Sequence, residues 1–406
     1  MTEAIVDILY LTFAAVTTYF MFVFLILFQR NRSVLHATPV MSELPSVSII
    51  IPAHNEQDTI AGTLRSLGNL RYPKNKLEII VVDDGSIDNT YKIAKGFKNV
   101  KVLKKANGGK ASALNLGVRN ARGEIVGCVD SDSHPFPNAL LKSVPFFNEG
   151  SVGAVTTSIY STKPKNLLGI LQWLEYVTIA WSRKLLEFID AVYVTPGPLS
   201  LYRRNLLVKL GGFDTKNMTE DIEIAWRFLS KGYKVKMASA AKTYTKTPEK
   251  FSAWWKQRIR WNIGGMQTMM KYKYVFLRNY GILSHFIWPF FSLSYFLSVL
   301  GMGLFAYLIV KYMSNQLSFV VQATMIGVNP LKHWQLWLVP DIFTIFGITV
   351  FLLSIAMIKL SLSSAKDGYR PKNLINYLVY LTFYITIFPA NLIHSMWRFL
   401  TKKFQW

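Results

Sequence analysis

The 406-residue chain has a single cysteine, Cys128, so no intramolecular disulfide framework holds it together. Its six histidines are scattered, and none stands at the short spacing of a zinc site. Acidic residues are scarce: 23 Asp and Glu face 46 Lys and Arg, a formal net charge of +23. The basic residues are spread through loops beside apolar runs and through the segment between them, so they read as a face set against anionic lipid and anionic small molecules rather than nucleic acid. No internal repeat or low-complexity tract is evident. A Walker A loop is missing too, because Asn107-Gly108-Gly109-Lys110 lacks the earlier glycine and Ala111 replaces the first hydroxyl residue.

What the chain does have is apolar length, with 51% of its residues hydrophobic. Ile8 to Phe28, Gly281 to Val310 and Leu374 to Trp397 are uncharged runs of 21, 30 and 24 residues. Each is long enough to cross a hydrocarbon core of ~30 Å at about 1.5 Å per residue. Ile342 to Ile358, with Leu336 to Pro340 ahead of it and only Asp341 between, is a fourth. Glu3 and Asp7 before the first run, and the length of that run, argue against a cleaved signal peptide. Arg30 and Arg32 behind it place the next segment in the cytoplasm by the positive-inside rule. Four spans leave Arg398, Lys402 and Lys403 outside, so a fifth stays open, through a hairpin at Pro289 or a re-entrant segment at Pro389. The expected division is a membrane helix over 1–30, a cytosolic domain over 31–248, an interface helix region over 249–280, and a membrane region of about three spans over 281–406.

Within the soluble-looking stretch, Ser46 to Pro52, Leu77 to Asp83 and Glu124 to Asp130 are short β-rich runs. Thr59 to Leu67, Asn89 to Phe97 and Lys110 to Ala121 between them have helical apolar spacing. Alternation of this kind predicts an α/β domain, a mostly parallel sheet with helices on both faces. Ligands of such sheets bind beyond the carboxyl ends of the strands. His54-Asn55-Glu56, Asp83-Asp84-Gly85-Ser86 and Asp130-Ser131-Asp132 fall there.

Asp130 and Asp132 at a strand end can share one divalent cation, and hard oxygen ligands favour Mg2+ or Mn2+. A lone D-x-D, like D-D-G-S, is also an ordinary turn, and only the three clusters on one rim raise it above that. Lys110, at the start of a helix, can meet a bound nucleotide. Thr219-Glu220-Asp221 opens another helix, where the carboxylates either complement the helix dipole or supply a general base. Gly301-Met302-Gly303 lies inside an apolar run and is packing rather than a dinucleotide fingerprint.

These stretches together resemble the family 2 glycosyltransferases, in their membrane-bound processive branch of cellulose, poly-N-acetylglucosamine and hyaluronan synthases. The co-linear pieces are "IPAHNE" from Ile51, "VVDDGS" from Val81, "NGGKASALNLG" from Asn107, "DSD" at Asp130, "GPLSLYRR" from Gly197, "GGFD" from Gly211, "TED" at Thr219 and "QRIRW" from Gln257. The resemblance implies a GT-A-like domain that transfers sugar with inversion from a nucleotide-diphosphate donor, a UDP-sugar by expectation. Asp221 is then the base and Asp130 with Asp132 the metal site. Ala53, Asn55, Glu56, Asp83, Lys110, Asp130 and Arg260 serve the donor, with Asp83 at the uracil and Arg260 at the diphosphate. Gly197, Glu220, Gln257 and Trp261 serve the acceptor, with Trp261 the stacking platform, and Trp254 and Trp255 are left as interface anchors. The matching pieces divide between poly-N-acetylglucosamine synthases and hyaluronan-type synthases, and N-acetylglucosamine is the expected sugar. Transfer of one sugar to a lipid acceptor, and a transporter with a nucleotide-sensing domain, are the competing readings. The expected location is the plasma membrane with the catalytic domain cytoplasmic.

Overall fold

The computed structural model describes residues 2–329, 342–365, 369, 371, 373 and 375–402. Leu336 to Asp341, Leu374 and Lys403, used above to delimit spans, lie outside the described residues.

Helix α1 (Thr2–Asn31) is followed by β1 (Val47–Ala53), α2 (Ile60–Gly68), β2 (Leu77–Asp84), α3 (Thr90–Lys95), β3 (Val100–Lys105), α4 (Lys110–Asn120) and β4 (Ile125–Cys128). Then come β5 (Ser133–Pro135), α5 (Ala139–Ser143), β6 (Val152–Ser161), α6 (Leu167–Glu187), β7 (Ser200–Arg203), α7 (Arg204–Lys209), α8 (Glu220–Ser230) and β8 (Lys234–Thr245). Helices α9 (Phe251–Lys271), α10 (Trp288–Met325), α11 (Ile342–Ser364) and α12 (Ile375–Leu400) complete the chain.

The strands form one sheet in the order β3-β2-β1-β4-β7-β6-β8-β5. Its first four strands are parallel, as their continuous apolar runs imply, because both faces are covered. In β1, Ile50 enters the core shared with α4, while Ile49 and Ile51 enter the opposite core with α2 and α5. The α/β expectation therefore holds. The sheet is more mixed than its N-terminal half predicts, since β7 runs antiparallel to both β4 and β6, and β5 antiparallel to β8.

Among the described residues, four helical segments are long and apolar enough to cross a membrane: Ile5–Asn31, Leu283–Met325, Ile345–Ser364 and Ile375–Leu400. The backbone is helical through both prolines. Pro289 is carried near the start of α10, directly after a π-turn over Leu283–Ile287 that runs straight into it. Pro389 is carried inside the continuous helix α12. The core on the α4 face runs on into these helices through Phe24 of α1 and Phe291 of α10.

Candidate active site

The site lies along the carboxyl ends of β1, β2 and β4, closed from one side by α8 and α9. Ala53 ends β1, buried and in register with Asp83 of β2. Asn55 follows with φ +55, a left-handed conformation that asparagine tolerates better than most residues. Its N–H donates to Ser86 Oγ at 3.0 Å, and its Oδ1 accepts from the Ile87 N–H at 3.0 Å. The Glu56 N–H donates to Thr90 Oγ1 at 2.7 Å, and its carboxylate accepts from the Thr59 hydroxyl. These bonds lock the loop after β1 onto the loop after β2.

The two aspartates ending β2 divide the work. Asp84 accepts from the backbone N–H groups of Gly108 at 3.1 Å and Gly109 at 2.7 Å and from Lys105 Nζ at 2.5 Å. It is a buried clamp on the loop that starts α4. Asp83 is fully buried, with one oxygen accepting from the Ser86 N–H at 3.3 Å and Oδ2 unpartnered among the described residues. A buried carboxylate oxygen without a donor is expensive, and a ligand N–H satisfies it.

The clamped loop aims Lys110 across the rim. Its Nζ lies 2.6 Å from Asp130 Oδ1 and 3.1 Å from Glu220 Oε1, so one ammonium ties β4 to the first turn of α8. Burial pulls this lysine down, but Asp130, Glu220 and Asp221 outweigh burial and hold it above the ordinary lysine range. It stays charged. Gly197 donates no side chain to this cluster and could not carry one: an added Cβ falls 2.4 Å from both Asp130 carboxylate oxygens and 2.5 Å from Lys110 Nζ. Its carbonyl accepts from the Asp130 N–H at 3.0 Å. Asp132 accepts from the Ser133 hydroxyl at 3.1 Å and the Thr245 hydroxyl at 3.2 Å. Burial, and then the charge of Asp130, push Asp132 up to about 6. A carboxyl held up by burial beside a second carboxylate is a fit partner for a divalent cation. No group of three or more His, Cys, Asp and Glu side chains is placed to hold a metal ion among the described residues. Any further ligands must then come from donor oxygens and water.

Asp221 stands one residue into α8. Its Oδ1 accepts from the Ile222 N–H at 2.9 Å, and its carbonyl accepts from the Thr195 N–H at 3.2 Å and hydroxyl at 2.9 Å. Thr219 precedes the helix without capping it through its side chain. Burial and then Glu220 push Asp221 up to about 7, against the pull of Lys110 and Arg260.

Helix α9 reaches α8 at a glycine. A Cβ on Gly264 would lie 2.1 Å from Thr219 Oγ1, so only glycine permits this contact, which brings the preceding turn of α9 beside Glu220 and Asp221. On that turn Arg260 is exposed and has no hydrogen bond or ion pair among the described residues, and its positive charge draws the Asp221 carboxyl down. Trp261 is half-buried, with one ring face covered by the Arg258 guanidinium at 3.9 Å from the ring centre. Gln257 Oε1 accepts from Arg258 Nη1 at 2.8 Å.

Arg258 is the residue that sequence reasoning passed over. It is 1% exposed and ion-paired to Glu175 of α6, which also accepts from the Tyr384 hydroxyl of α12 at 2.6 Å. A signal was present in its spacing, four residues after Trp254 and three before Trp261, since such positions share a helix face. Trp254 departs from its expected anchor role. It is fully buried against Phe383 of α12, with ring centres 5.0 Å apart, so it packs helices rather than meeting lipid. Trp255 is only partly exposed and donates from Nε1 to His394 at 3.1 Å.

A strand-end carboxylate rim bridged by a helix-start lysine now stands beside an arginine and a tryptophan on a docked helix. The sequence profile of "Glycosyl transferase family 2" matches residues 48–211. Those residues are a glycosyl transferase family 2 domain. The chain thus carries a glycosyltransferase domain. Among its relatives, the Probable glycosyltransferase YdaM of Bacillus subtilis (strain 168) is 35% identical over 274 residues, 64% of this chain and 65% of that protein. A Poly-beta-1,6-N-acetyl-D-glucosamine synthase of Staphylococcus aureus (strain MSSA476) is 32% identical over 237 residues, 57% of each. The chain therefore spans less than two thirds of the length of either relative. The solved structure of mannosyltransferase PcManGT from Pyrobaculum calidifontis, a complex with GDP-Man and Mn2+, superposes with TM-score 0.59 at 22% identity over 98% of this chain and 100% of that one. The family 2 domain and its helices share that fold.

Proposed function

We propose that this protein is a membrane-embedded inverting glycosyltransferase that moves sugar from a UDP-sugar, N-acetylglucosamine by preference, onto a growing β-linked polysaccharide and passes the product across the membrane. The observation that carries the reading is the convergence of Lys110, Asp130, Glu220 and Asp221. The poly-N-acetylglucosamine synthase relative supports the choice of sugar and of a polymer.

In this reading Asp83 Oδ2, without a partner among the described residues, accepts from the N–H of the nucleobase. Mg2+ or Mn2+ held by Asp130 and Asp132 supplies Lewis-acid neutralisation of the diphosphate when bound. Asp221 takes the proton of the acceptor hydroxyl. That oxygen forms a bond to the anomeric carbon, and the bond from that carbon to the diphosphate oxygen breaks with its electron pair leaving on the nucleotide. Lys110 and Arg260 stabilise the charge that accumulates there, and their stabilisation grows as the bond breaks. A carboxyl raised toward 7 by its surroundings is half-ionised near neutral pH, where a general base is most useful. Trp261 offers its one uncovered face to the acceptor sugar, the other being occupied by Arg258.

The orientation proposed is a cytoplasmic domain at the plasma membrane, where Arg30 and Arg32 follow the first span. Purified protein given labelled UDP-N-acetylglucosamine should build long product from the earliest times. A product of a single added sugar at every time point would instead establish transfer to a lipid acceptor.

A further inference from the structure

Three of the four long apolar helices share one scale of depth. Phe20 of α1 meets Phe290, in the first turn of α10, with ring centres 5.2 Å apart, and further along a Cβ on Gly301 would fall 3.0 Å from the Phe13 ring. Tyr10 stands near the start of α11, where a Cβ on Gly347 would fall 3.3 Å from its hydroxyl. At the other end of α11 the Ser364 carbonyl accepts from His36 Nε2 at 3.0 Å, just beyond the end of α1. The end of α1, the start of α10 and the end of α11 therefore lie at one level. That level is the face of the catalytic domain: Phe28 packs on Trp181 of α6 with ring centres 5.7 Å apart, and Trp288 Nε1 donates to the Met269 carbonyl of α9 at 3.1 Å.

Helix α12 does not follow that scale. Near its start, Tyr380 is buried in one cluster with Ile358 and Leu362, from the last two turns of α11, and Leu174 of α6. Near its end, Met396 and Phe399 pack with Ile263 and Met266 of α9 and with Tyr295, two turns into α10. From Tyr380 to Phe399 is about 28 Å of helix at 1.5 Å per residue, nearly a hydrocarbon thickness of ~30 Å. A helix running alongside α10 would have carried Phe399 to the far side, yet Phe399 sits at the level where Tyr380 began. Between these points one face of α12 is pinned to the domain. The Tyr384 hydroxyl donates to Glu175 at 2.6 Å, Asn391 Nδ2 donates to the Trp255 carbonyl at 3.0 Å, and His394 accepts from Trp255 Nε1 at 3.1 Å. The opposite face is a stripe of Leu378, Ile385, Ile393, Trp397 and Leu400, all exposed.

From this geometry we infer that α12 is not a span: it lies in the membrane plane on the side of the catalytic domain, and the lipid headgroup surface is the partner of its apolar stripe. A helix held by a polar face on protein and apolar on the other sinks the apolar face about 5–10 Å into the boundary between headgroups and acyl chains. Trp397 suits that depth. The charges agree. A fourth span puts Arg398 and Lys402 across the membrane from Arg30 and Arg32, against the positive-inside rule, whereas an in-plane α12 keeps all four on one side. Placed so, α12 stands between the lipid and α9, the helix of Arg260 and Trp261. The inference is independent of which sugar is transferred and to what.

Two measurements on the full chain test it, with the native Cys128 silent because it is buried. The first is sidedness, read with a membrane-impermeant maleimide on intact and on permeabilised cells. Lys402→Cys should react on the same side as Lys98→Cys, on the exposed surface of the catalytic domain, and on the side opposite Met325→Cys, at the far end of α10. Lys402→Cys sharing the side of Met325→Cys overturns the inference. The second is depth, read from spin labels on Leu378→Cys, Ile385→Cys, Ile393→Cys and Leu400→Cys in phosphatidylcholine–phosphatidylglycerol vesicles, by oxygen against nickel-chelate accessibility. All four should lie within about 5–10 Å of the headgroup boundary, while Leu352→Cys, midway along α11, reads the bilayer centre. Labels at Ile385 and Ile393 as deep as Leu352 would mean a spanning or re-entrant helix and overturn the inference. Labels reached by neither reagent would mean that protein, such as a second copy, covers the stripe, and overturn it too. Each position reads independently, so a variant that misfolds leaves the others to decide. Failure of the transferase reading shows separately, as absence of sugar transfer by the parent from any nucleotide donor.

Discussion

Gly197→Ala is a one-carbon change whose consequence follows from the geometry of the rim. The new Cβ would stand 2.4 Å from both Asp130 oxygens and 2.5 Å from Lys110 Nζ, so reaching ordinary contact at 3.4 Å requires a displacement of about 1.0 Å. Lys110 can swing, but the short Asp130 side chain cannot move far without leaving the 2.6 Å ion pair. As a packing fault this costs about 1–3 kcal/mol and leaves the fold standing. As a catalytic fault it shifts a donor-side carboxylate by about 1 Å, a misplacement on the scale that costs roughly 10²-fold in rate. The assay is UDP release per enzyme with thermal unfolding measured on the same preparation. Gly68→Ala, where nothing lies within 4 Å of the added carbon, is the control and should change neither. A Gly197→Ala enzyme of parental kcat/KM would refute the argument that Asp130 and Lys110 sit on the reaction path.

Asp221→Asn should cut transfer by about 10²-fold or more. In the parent, kcat/KM should be lost as pH falls through about 7, because the basic form of Asp221 exists only above its raised pKa; a flat profile from pH 5 to 8 would exclude it as the base. Chelation should stop turnover, and Asp132→Asn should remain folded but inactive, so full activity of that variant in excess chelator would remove the metal site. Trp261→Ala should retain more donor hydrolysis relative to product than the parent does, since water needs no stacking platform; equal losses of both would make Trp261 a structural support. Glu175→Gln strands the buried Arg258 charge and should destabilise the protein by about 3–5 kcal/mol, read as an earlier thermal transition.

The rim was legible before the fold because each of its first three strands announces itself twice, as an apolar run and as a polar cluster at its carboxyl end. Ile49, Ile50 and Ile51 alternate into two different cores, which is why β1 reads as continuous rather than alternating hydrophobicity. The antiparallel β7 is harder to see. It is only Ser200 to Arg203, and its partners in β4 and β6 lie far away along the chain. Buried charge hides for the same reason: Arg258 finds Glu175 across 83 residues and Tyr384 joins from α12, so nothing local marks the network. Tryptophans near an apolar run read as lipid anchors by composition alone, whereas Trp254 is packed between helices. The apolar run through Val310 ended, as a sequence, at the charge of Lys311, but α10 continues to Met325 because backbone hydrogen bonding does not stop at a single lysine.

The central claim is sugar transfer driven by Asp221 from a nucleotide-diphosphate donor. Its most direct measurement gives purified protein in a membrane mimic a panel of nucleotide sugars and reads diphosphate release and product mass together, for the parent and for Asp221→Asn. The account predicts release matched to sugar incorporated, with UDP-N-acetylglucosamine the preferred donor, and a loss of both in Asp221→Asn. Turnover of no donor, or transfer by Asp221→Asn at the parental rate, would contradict it.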